Sequence, residues 1–325
     1  MMDRRTFLGT LAGGLLAAPL AAEAQTAAKK FRVGMLGGNP VAPFLFAKFK
    51  EGLAQLGYIE GHQVEIVQVD TAGVPARLPA RAAELTRTKV DVITARGPVA
   101  VAAAVEASKT IAIVAIDLES DPIALGYAKT LARPGGNVTG VFLDLPELSA
   151  KQLQLCREIA PAQSRVALVG DLTGNAAQFR ATERAAQTLG IQVQIFEGRT
   201  AAELDAALEA APLSGAGAVL IFSSPAVFDH RARIAVLGRE KRLPTVSLFT
   251  EFAEAGGLLT YGPSLRESFR RCGVLAGKVL SGVKPADLPI ERPEKFELVI
   301  NLTTAKALGL TIPPSLLQRA DQVIE

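Results

Sequence analysis

Short apolar runs alternate with amphipathic stretches along the chain from Phe31 onward. Runs such as Phe31–Leu36, Val64–Val69 and Ile111–Ile116 have the length and β-branched content of strands that are buried on both faces. Between them, as in Phe44–Leu56, apolar residues recur at the spacing of one helix face before a glycine ends the helix. Strands that alternate with single helices pair in parallel through right-handed crossovers. The pattern therefore predicts an α/β fold built on doubly wound parallel sheets.

The same alternation restarts after the apolar run Val138–Phe142. A chain of 325 residues exceeds the usual size of one domain, and its 49% hydrophobic content is enough to fill two cores. We therefore predict two α/β lobes, with polar loops at the carboxyl ends of the strands and a crevice between the lobes that buries a small molecule. The later elements are predicted at Leu148–Ile159, Arg165–Val169, Ala176–Leu189, Ile191–Phe196, Ala201–Ala211, Ala218–Phe222, Val227–Lys241, Thr245–Leu248, Leu258–Tyr261, Leu265–Leu280, Phe296–Ile300 and Thr304–Leu308.

The stretch from Asp117 to Phe142 brings several of these features together. The polar loop Asp117–Asp121 follows a predicted strand, so we expect it to face the crevice. A short helix is predicted after it, with Asp121 as its cap. Pro134–Asn137 then forms a strong turn signal before the chain resumes as a strand at Val138.

The first two dozen residues have the pattern of an export signal. Arg4 and Arg5 precede an apolar segment that ends in Ala22-Glu23-Ala24, a small-x-small cleavage pattern. The run RR-x-F-L is similar to the twin-arginine signal, and the alternative is an ordinary secretory leader with two basic residues. We expect residues 1–24 to be removed. The apolar segment is shorter than the roughly 20 residues that span a bilayer, and no membrane span is expected in the mature chain.

Charge and reactive groups argue against several functions. Lys and Arg total 35 against 32 Asp and Glu, the charges are scattered and there is no tryptophan, so no nucleic-acid partner is expected. The two cysteines, Cys156 and Cys272, lie far apart in helical patterns, which favours two buried thiols over a disulfide. The histidines His62 and His230 stand outside any nucleophile, zinc or P-loop motif. We therefore predict no enzyme, metal site or cofactor, and a secreted hydrolase is the rival hypothesis.

Four segments in order resemble one protein family over nearly the whole mature chain. They are RLPARAAELTRTKVDVIT at Arg77–Thr94, DP at Asp121-Pro122, LARPGGNVTG at Leu131–Gly140 and LLTYGPSLRESFRRCGVLAGKVLSGVKPADLPIE at Leu258–Glu291. Together they resemble the ABC-transporter substrate-binding proteins of the tryptophan-receptor-like type. The resemblance implies the class I periplasmic binding protein fold, in which the chain crosses three times between two lobes. The crossings would be Val138–Phe142, Leu258–Tyr261 and Pro289–Phe296.

The resemblance also implies the lobe bounds and the function. The amino-terminal lobe would contain residues 30–141 and 262–288, and the carboxyl-terminal lobe residues 142–261 and 289–325. We expect a monomeric periplasmic receptor that closes over a small carboxylate-bearing ligand, an amino acid or an aromatic or organic acid, and delivers it to an ABC permease in the inner membrane. The alternative is a ligand-sensing receptor for a membrane kinase or chemoreceptor, whose cleft would look the same.

Loop positions on this fold give the candidate ligand contacts. Some have a plainer interpretation, since Asn39, Thr173 and Ser224 suit helix caps and Phe44 suits the core. The first-lobe candidates are Asn39, Phe44, Asp70, Thr71, Arg96, Asp117, Glu119 and Ser120; those of the second lobe are Asp171, Thr173, Ser223, Ser224, Phe249 and Glu251, with Tyr261 near a crossing.

Arg96 is a departure from the family's pattern. Relatives have a small Gly-Gly-Thr-Pro run after the third strand, where this chain reads Ala95-Arg96-Gly97-Pro98 and lacks the hydroxyl. The departure argues against an amino acid as the ligand, whereas a guanidinium can bind a carboxylate through two hydrogen bonds, which favours an organic or aromatic acid. The alternatives are that Arg96 turns out of the cleft or pairs with Asp117 or Glu119. The carboxylates of the loop are also suited to a ligand ammonium group, and the sequence leaves this choice open.

Overall fold

The computed structural model of the protein describes residues 30–143, 145–161 and 164–325. The side chains at 147 and 173 lie outside this description, and so does the predicted export signal at 1–24. The described part of the chain contains two β-sheets. The first has the strand order β2-β1-β3-β4-β5 and is parallel throughout, with strands β1 (Phe31–Leu36), β2 (Val64–Val69), β3 (Val92–Arg96), β4 (Ala112–Asp117) and β5 (Val138–Phe142).

The second sheet has seven strands in the order β12-β11-β10-β9-β8-β6-β7. All of its pairs are parallel except β10 with β11. The predicted α/β fold of two doubly wound lobes is therefore confirmed, with this one antiparallel pair added. The strands are β6 (Arg165–Gly170), β7 (Gln192–Glu197), β8 (Ala218–Ile221), β9 (Thr245–Ser247), β10 (Leu259–Pro263), β11 (Phe296–Asn301) and β12 (Gln322–Ile324).

Helices cover both sheets, and short 3-10 turns lie at Pro75–Arg77, Ala211–Ser214 and Pro285–Asp287. The helix predicted from Val227 to Lys241 is two helices that meet at His230, and three short elements, α9, α12 and β12, were not predicted. The helices are α1 (Pro43–Ala54), α2 (Leu78–Arg87), α3 (Pro98–Ala107), α4 (Leu145–Ile159), α5 (Leu172–Leu189), α6 (Ala201–Ala210), α7 (Pro225–Asp229), α8 (Arg231–Glu240), α9 (Thr250–Glu254), α10 (Leu265–Leu280), α11 (Leu302–Ala307) and α12 (Pro314–Leu317).

Helix α10 follows a strand of the second sheet but packs on the first lobe, against α1 and β4. Glycines let the two helices approach closely. A Cβ atom on Gly273 would lie 2.1 Å from the carbonyl oxygen of Phe49, and one on Gly52 would lie 2.0 Å from that of Arg270. The apolar face of α10, including the fully buried Phe269, then completes the core on one side of the first sheet.

The chain passes between the lobes in short connections rather than in strands. The expectation that Val138–Phe142 and Leu258–Tyr261 are themselves crossings is wrong, because β5 pairs with β4 along its length and β10 is paired on both sides in the second sheet. The segments that connect the lobes come after these strands in the chain. The returning segment runs beside β5, where Glu291 N–H bonds Gly140 O at 2.9 Å and Phe142 N–H bonds Glu291 O at 2.9 Å. The predicted lobe bounds stay a prediction.

The helix predicted after Asp121 is also wrong, because the backbone there forms turns. Asp121 Oδ1 accepts hydrogen bonds from the N–H groups of Ile123 at 2.8 Å and Ala124 at 3.3 Å. The N–H groups of Tyr127 and Ala128 then both bond to Pro122 O, which closes the chain on itself instead of continuing a helix. Asp121 therefore caps a turn.

Both cysteines, Cys156 and Cys272, are buried free thiols, which confirms the prediction for them. Burial raises the pKa of each thiol. Within the described residues, no three His, Cys, Asp or Glu side chains are grouped so as to hold a metal ion. No helix in that part of the chain is long and apolar enough to cross a membrane.

Candidate ligand-binding cleft

A cavity lies between the lobes at the carboxyl ends of strands from both sheets. The empty space is about 340 Å³, a volume that includes open solvent at the mouth of the cavity. Parallel strands end at one edge of their sheet, so the loops after β3 and β4 meet those after β8 and β9 here. The wall consists of Arg96, Gly97, Ile116, Leu118, Glu119, Leu265 and Phe269 from the first lobe and Ser223, Ser224, Pro225, Phe228 and Phe249 from the second.

Arg96 is the last residue of β3 and forms part of the cavity wall with only 8% of its surface exposed. One guanidinium nitrogen, Nη2, donates to the carbonyl oxygen of Asn39 at 3.2 Å and lies 3.6 Å from Asp229 Oδ2. Its buried Nε has no hydrogen-bond partner among the described residues. The alternative that Arg96 turns out of the cleft is wrong, and its ion pair is with Asp229 rather than with Asp117 or Glu119.

Asn39 reaches across the cleft instead of capping a helix. Its side-chain Nδ2 donates to Asp229 Oδ2 at 2.7 Å. Thr71, which is buried, holds the loop that carries Asn39, because its hydroxyl donates to Gly38 O at 2.9 Å. Thr71 thus positions a residue of the cleft without belonging to the cavity wall.

The acidic loop after β4 contains two carboxyl groups with altered proton affinities. Asp117 is fully buried, and its Oδ1 accepts from the N–H groups of Glu119 at 3.2 Å and Ser120 at 3.1 Å. Burial raises the pKa of Asp117 to about 6. Glu119 accepts from the Ser223 hydroxyl at 3.3 Å and from Leu118 N–H at 3.1 Å. Burial, followed by the nearby charge of Asp117, raises the pKa of Glu119 to about 8, so this side chain is mostly protonated at neutral pH.

The raised pKa of Glu119 predicts a pH dependence of stability. Between pH 4.5, the ordinary pKa, and pH 8, the folded protein retains a proton that the unfolded chain has released, so stability falls as the pH rises. Replacing Glu119 with glutamine removes this contribution. We expect Glu119→Gln to gain about 1 kcal/mol or more relative to wild type between pH 5 and pH 8.

Urea unfolding at a series of pH values measures this difference. The matched control is Glu84→Gln, because Glu84 is a helix-surface glutamate paired with Arg81 at 2.8 Å. Parallel pH profiles for wild type and Glu119→Gln would contradict the prediction.

Three phenylalanines, Phe228, Phe249 and Phe269, give the cavity wall much of its apolar surface. The rings of Phe228 and Phe249 meet edge to face, with centroids 6.3 Å apart. The predicted contact Phe44 is not among the described residues of the wall, and its ring centroid lies 6.4 Å from that of Phe228. Apolar walls with a few polar groups between them are typical of sites for small organic ligands.

Glu251 was predicted to contact the ligand, but it forms an ion pair between the lobes. Its carboxylate is buried and lies 3.1 Å from Nε of Arg266 on α10, which also pairs with Glu254 at 2.8 Å. The Arg266 guanidinium is stacked on the ring of Phe44, 4.7 Å from its centroid. Burial raises the pKa of Glu251. This ion pair joins the two lobes beside the cavity.

The other predicted site residues are divided between the cleft and its surroundings. Ser223 and Ser224 line the cavity, and Ser224 also caps α7 by accepting from Val227 N–H at 3.1 Å. Ser120 lines a second recess, and Glu119 lines both this recess and the cavity. Asp171 lies at the start of α5, and the side chain of Thr173 is outside the described part of the chain.

Two predicted contacts lie away from the cavity. Asp70 accepts from Ala72 N–H at 2.8 Å in the loop after β2. Tyr261 is stacked on Phe296, with ring centroids 6.1 Å apart, and packs against the core of the second lobe. Neither is among the described residues of the cavity wall.

Sequence reasoning missed Pro225, Phe228, Asp229 and Arg266 at the cleft, together with Gly97, Ile116, Leu118, Leu265 and Phe269 of the cavity wall. Pro225, Phe228 and Asp229 belong to the short helix that follows Ser224, so the available signal was a helix that begins with proline after a strand. Arg266 gave no such signal, because it belongs to a surface-patterned helix and its role depends on where the opposite lobe lies.

Comparison with known proteins gives consistent results. Residues 45–324 match the model of a family described as ABC transporter substrate binding protein. The curated Tyrosine-binding protein of Clostridioides difficile (strain R20291) is 24% identical over 269 residues, which are 81% of this chain and 75% of that protein.

Solved structures share the whole architecture. An ABC domain from Streptococcus pneumoniae in complex with L-Trp has a TM-score of 0.81 at 23% identity, covering 91% of this chain and 100% of that one. A conserved domain protein from Vibrio cholerae has a TM-score of 0.82 at 24% identity, with coverage of 91% and 100%. At such identities the likeness shows the fold, while function rests on the residues of the site.

Proposed function

Because the chain belongs to the ABC transporter substrate-binding protein family, we propose that it is the periplasmic receptor of an importer, closing over a small carboxylate-bearing solute. The family is one of binding proteins without catalytic activity, so the protein is not an enzyme. On this proposal it is exported, acts as a monomer and delivers its solute to a membrane permease. The ligand is an amino acid or an aromatic or organic acid.

The observation that carries this proposal is the position of Arg96. Its guanidinium is nearly buried in the cavity wall, and its Nε has no partner among the described residues. A guanidinium in a wall that is otherwise mostly apolar favours a carboxylate, which supplies charge-assisted hydrogen bonds. The phenylalanine walls favour a ligand with an apolar or aromatic body. The relatives whose names mention tyrosine and L-Trp support the same choice.

Closure requires that the ligand contact both lobes. A ligand shifts the equilibrium between open and closed forms only by the difference in its affinity for them. The cavity meets this requirement, since Arg96 and Glu119 belong to one lobe and Ser223, Phe228 and Phe249 to the other. A solute held between these groups stabilises the closed form that a permease recognises.

A thermal-shift screen followed by calorimetry tests the proposal. The mature protein is screened against L-tyrosine, L-tryptophan, aromatic acids and small aliphatic acids, with the amide of each hit as its matched control. A ligand that binds only the folded state raises the free energy of unfolding, by about 2.7 kcal/mol at a free ligand concentration of a hundred times its Kd. The thermal midpoint rises accordingly. We expect an acid to raise the midpoint and its amide to raise it less. Equal shifts for acid and amide would contradict carboxylate recognition, and failure of a gene deletion to reduce uptake of the hit would contradict the transport role.

A further inference from the structure

Carboxyl groups from both lobes lie near Arg96. The Arg96 charge opposes the burial that raises the pKa of Glu119, a residue of the loop that also carries Asp117, and Asp229 Oδ2 lies 3.6 Å from Arg96 Nη2. Asp117 and Glu119 belong to the same lobe as Arg96. Asp229, at the end of α7, comes from the opposite lobe and carries the carboxylate that forms the ion pair with Arg96.

A hydrogen bond from Asn39, in addition to the ion pair with Arg96, holds the Asp229 side chain in place. Its Oδ2 accepts from Asn39 Nδ2 at 2.7 Å while it lies 3.6 Å from Arg96 Nη2. The same Nη2 donates to the main-chain oxygen of Asn39. The side chains of Arg96 and Asp229 are only 9% and 19% exposed, so water screens this pair weakly.

We propose that Asp229 is a specificity-determining residue, a counter-ion that lowers the preference of Arg96 for a ligand carboxylate over an uncharged group. This inference rests on the proposed function, because it concerns how the same cleft ranks its ligands. A ligand carboxylate beside Arg96 is attracted by the guanidinium and repelled by Asp229. Like charges close together in a site that excludes water are a recognised means of rejecting a ligand.

Asp229 also has a second effect, which acts on all ligands alike. Its bonds to Asn39 and Arg96 form only when the lobes are closed, since they join opposite lobes. Losing them lowers the closed population and reduces every apparent affinity by the same factor. The ratio of two affinities measured on one protein is therefore free of this contribution and reports the charge effect alone.

The test compares L-tyrosine with L-tyrosinamide, which differ at the carboxyl group, by calorimetry on wild type and Asp229→Asn. Asparagine keeps the size of the side chain and an oxygen for Asn39. We expect the affinity ratio of tyrosine to tyrosinamide to rise about fivefold or more in Asp229→Asn. The matched control is Asp205→Asn, which removes an equal charge from the same lobe at a surface pair with Arg233.

The outcomes separate the two proposals. A ratio that does not move in Asp229→Asn, or that moves equally in Asp205→Asn, overturns the role of Asp229 and leaves the proposed function standing. A wild-type protein that binds tyrosinamide as tightly as tyrosine, with a ratio that rises in Asp229→Asn, supports Asp229 and shows that carboxylate selection is absent from the native cleft. If neither protein binds either probe, both proposals fail for aromatic amino acids. Thermal midpoints near that of wild type establish that each variant is folded.

Discussion

Arg96→Ala is expected to weaken binding of a carboxylate-bearing ligand by about 1.5 to 3 kcal/mol, or roughly ten- to a hundredfold in Kd. The variant removes the guanidinium that faces the cavity and leaves Asp229 without its cation. Of the charged side chains in the cavity wall, Glu119 then remains without a cation beside it. Calorimetry with the acid that gives the largest thermal shift measures the loss.

Two further variants sharpen this experiment. Arg96→Lys keeps the charge but lacks the planar fork of donors, so we expect it to recover only part of the lost affinity. Arg233→Ala serves as the control, because Arg233 forms a surface pair with Asp205. Wild-type affinity in Arg96→Ala would remove Arg96 from the site, even though it lies in the cavity wall.

Gly273→Ala is expected to destabilise the protein by about 3 kcal/mol or more, the upper end of the cost of overpacking. Helix propensity alone predicts the opposite sign, since alanine is favoured over glycine in a helix by about 1 kcal/mol. Packing decides the outcome, because the new Cβ would lie 2.1 Å from the main-chain oxygen of Phe49, an atom that cannot move without α1. The two helices must separate, which opens the core around Phe269.

Gly277→Ala, one turn further along the same helix, is the matched control. Its Cβ would lie 2.8 Å from Cδ1 of Leu56, a side chain that is 41% exposed and can rotate away, and 3.3 Å from Leu56 Cβ, a contact that a shift of a few tenths of an ångström relieves. We expect this variant to be within about 1 kcal/mol of wild type. Urea unfolding of both variants provides the comparison, and equal midpoints for the two would show that the contact between α1 and α10 tolerates a methyl group.

Sequence reasoning was most successful where structure is local. The bounds of β1, β2 and α10 were predicted to the residue, because each is an uninterrupted periodic pattern with clear stops. The helix predicted after Asp121 was wrong, because an aspartate followed by a proline suits both a helix start and a turn. The tertiary bonds to Pro122 O that decide between them lie beyond local pattern.

The loops that form the site were predictable from the sequence, but the residue pairs that join the two lobes were not. Arg96 and Glu119 were found because they follow strands, whose carboxyl ends meet at one edge of a sheet. The pairing of Asp229 with Arg96, like that of Glu251 with Arg266, depends on how the two lobes are placed relative to each other. No spacing in the sequence encodes the distance from Asn39 to Asp229, which are 190 positions apart.

The return of the chain along β5 constrains the order in which the protein folds during synthesis. The edge of β5 is covered by residues 288–291, through Glu291 and through the Thr139 hydroxyl, which donates to Leu288 O at 3.1 Å. Helix α10, which is also made late, packs along α1. A ribosome must therefore make about nine-tenths of the polypeptide before the β5 edge of the first sheet can be covered, and the amino-terminal half cannot complete its structure before then. Shorter nascent chains expose a strand edge that is open to pairing with another molecule.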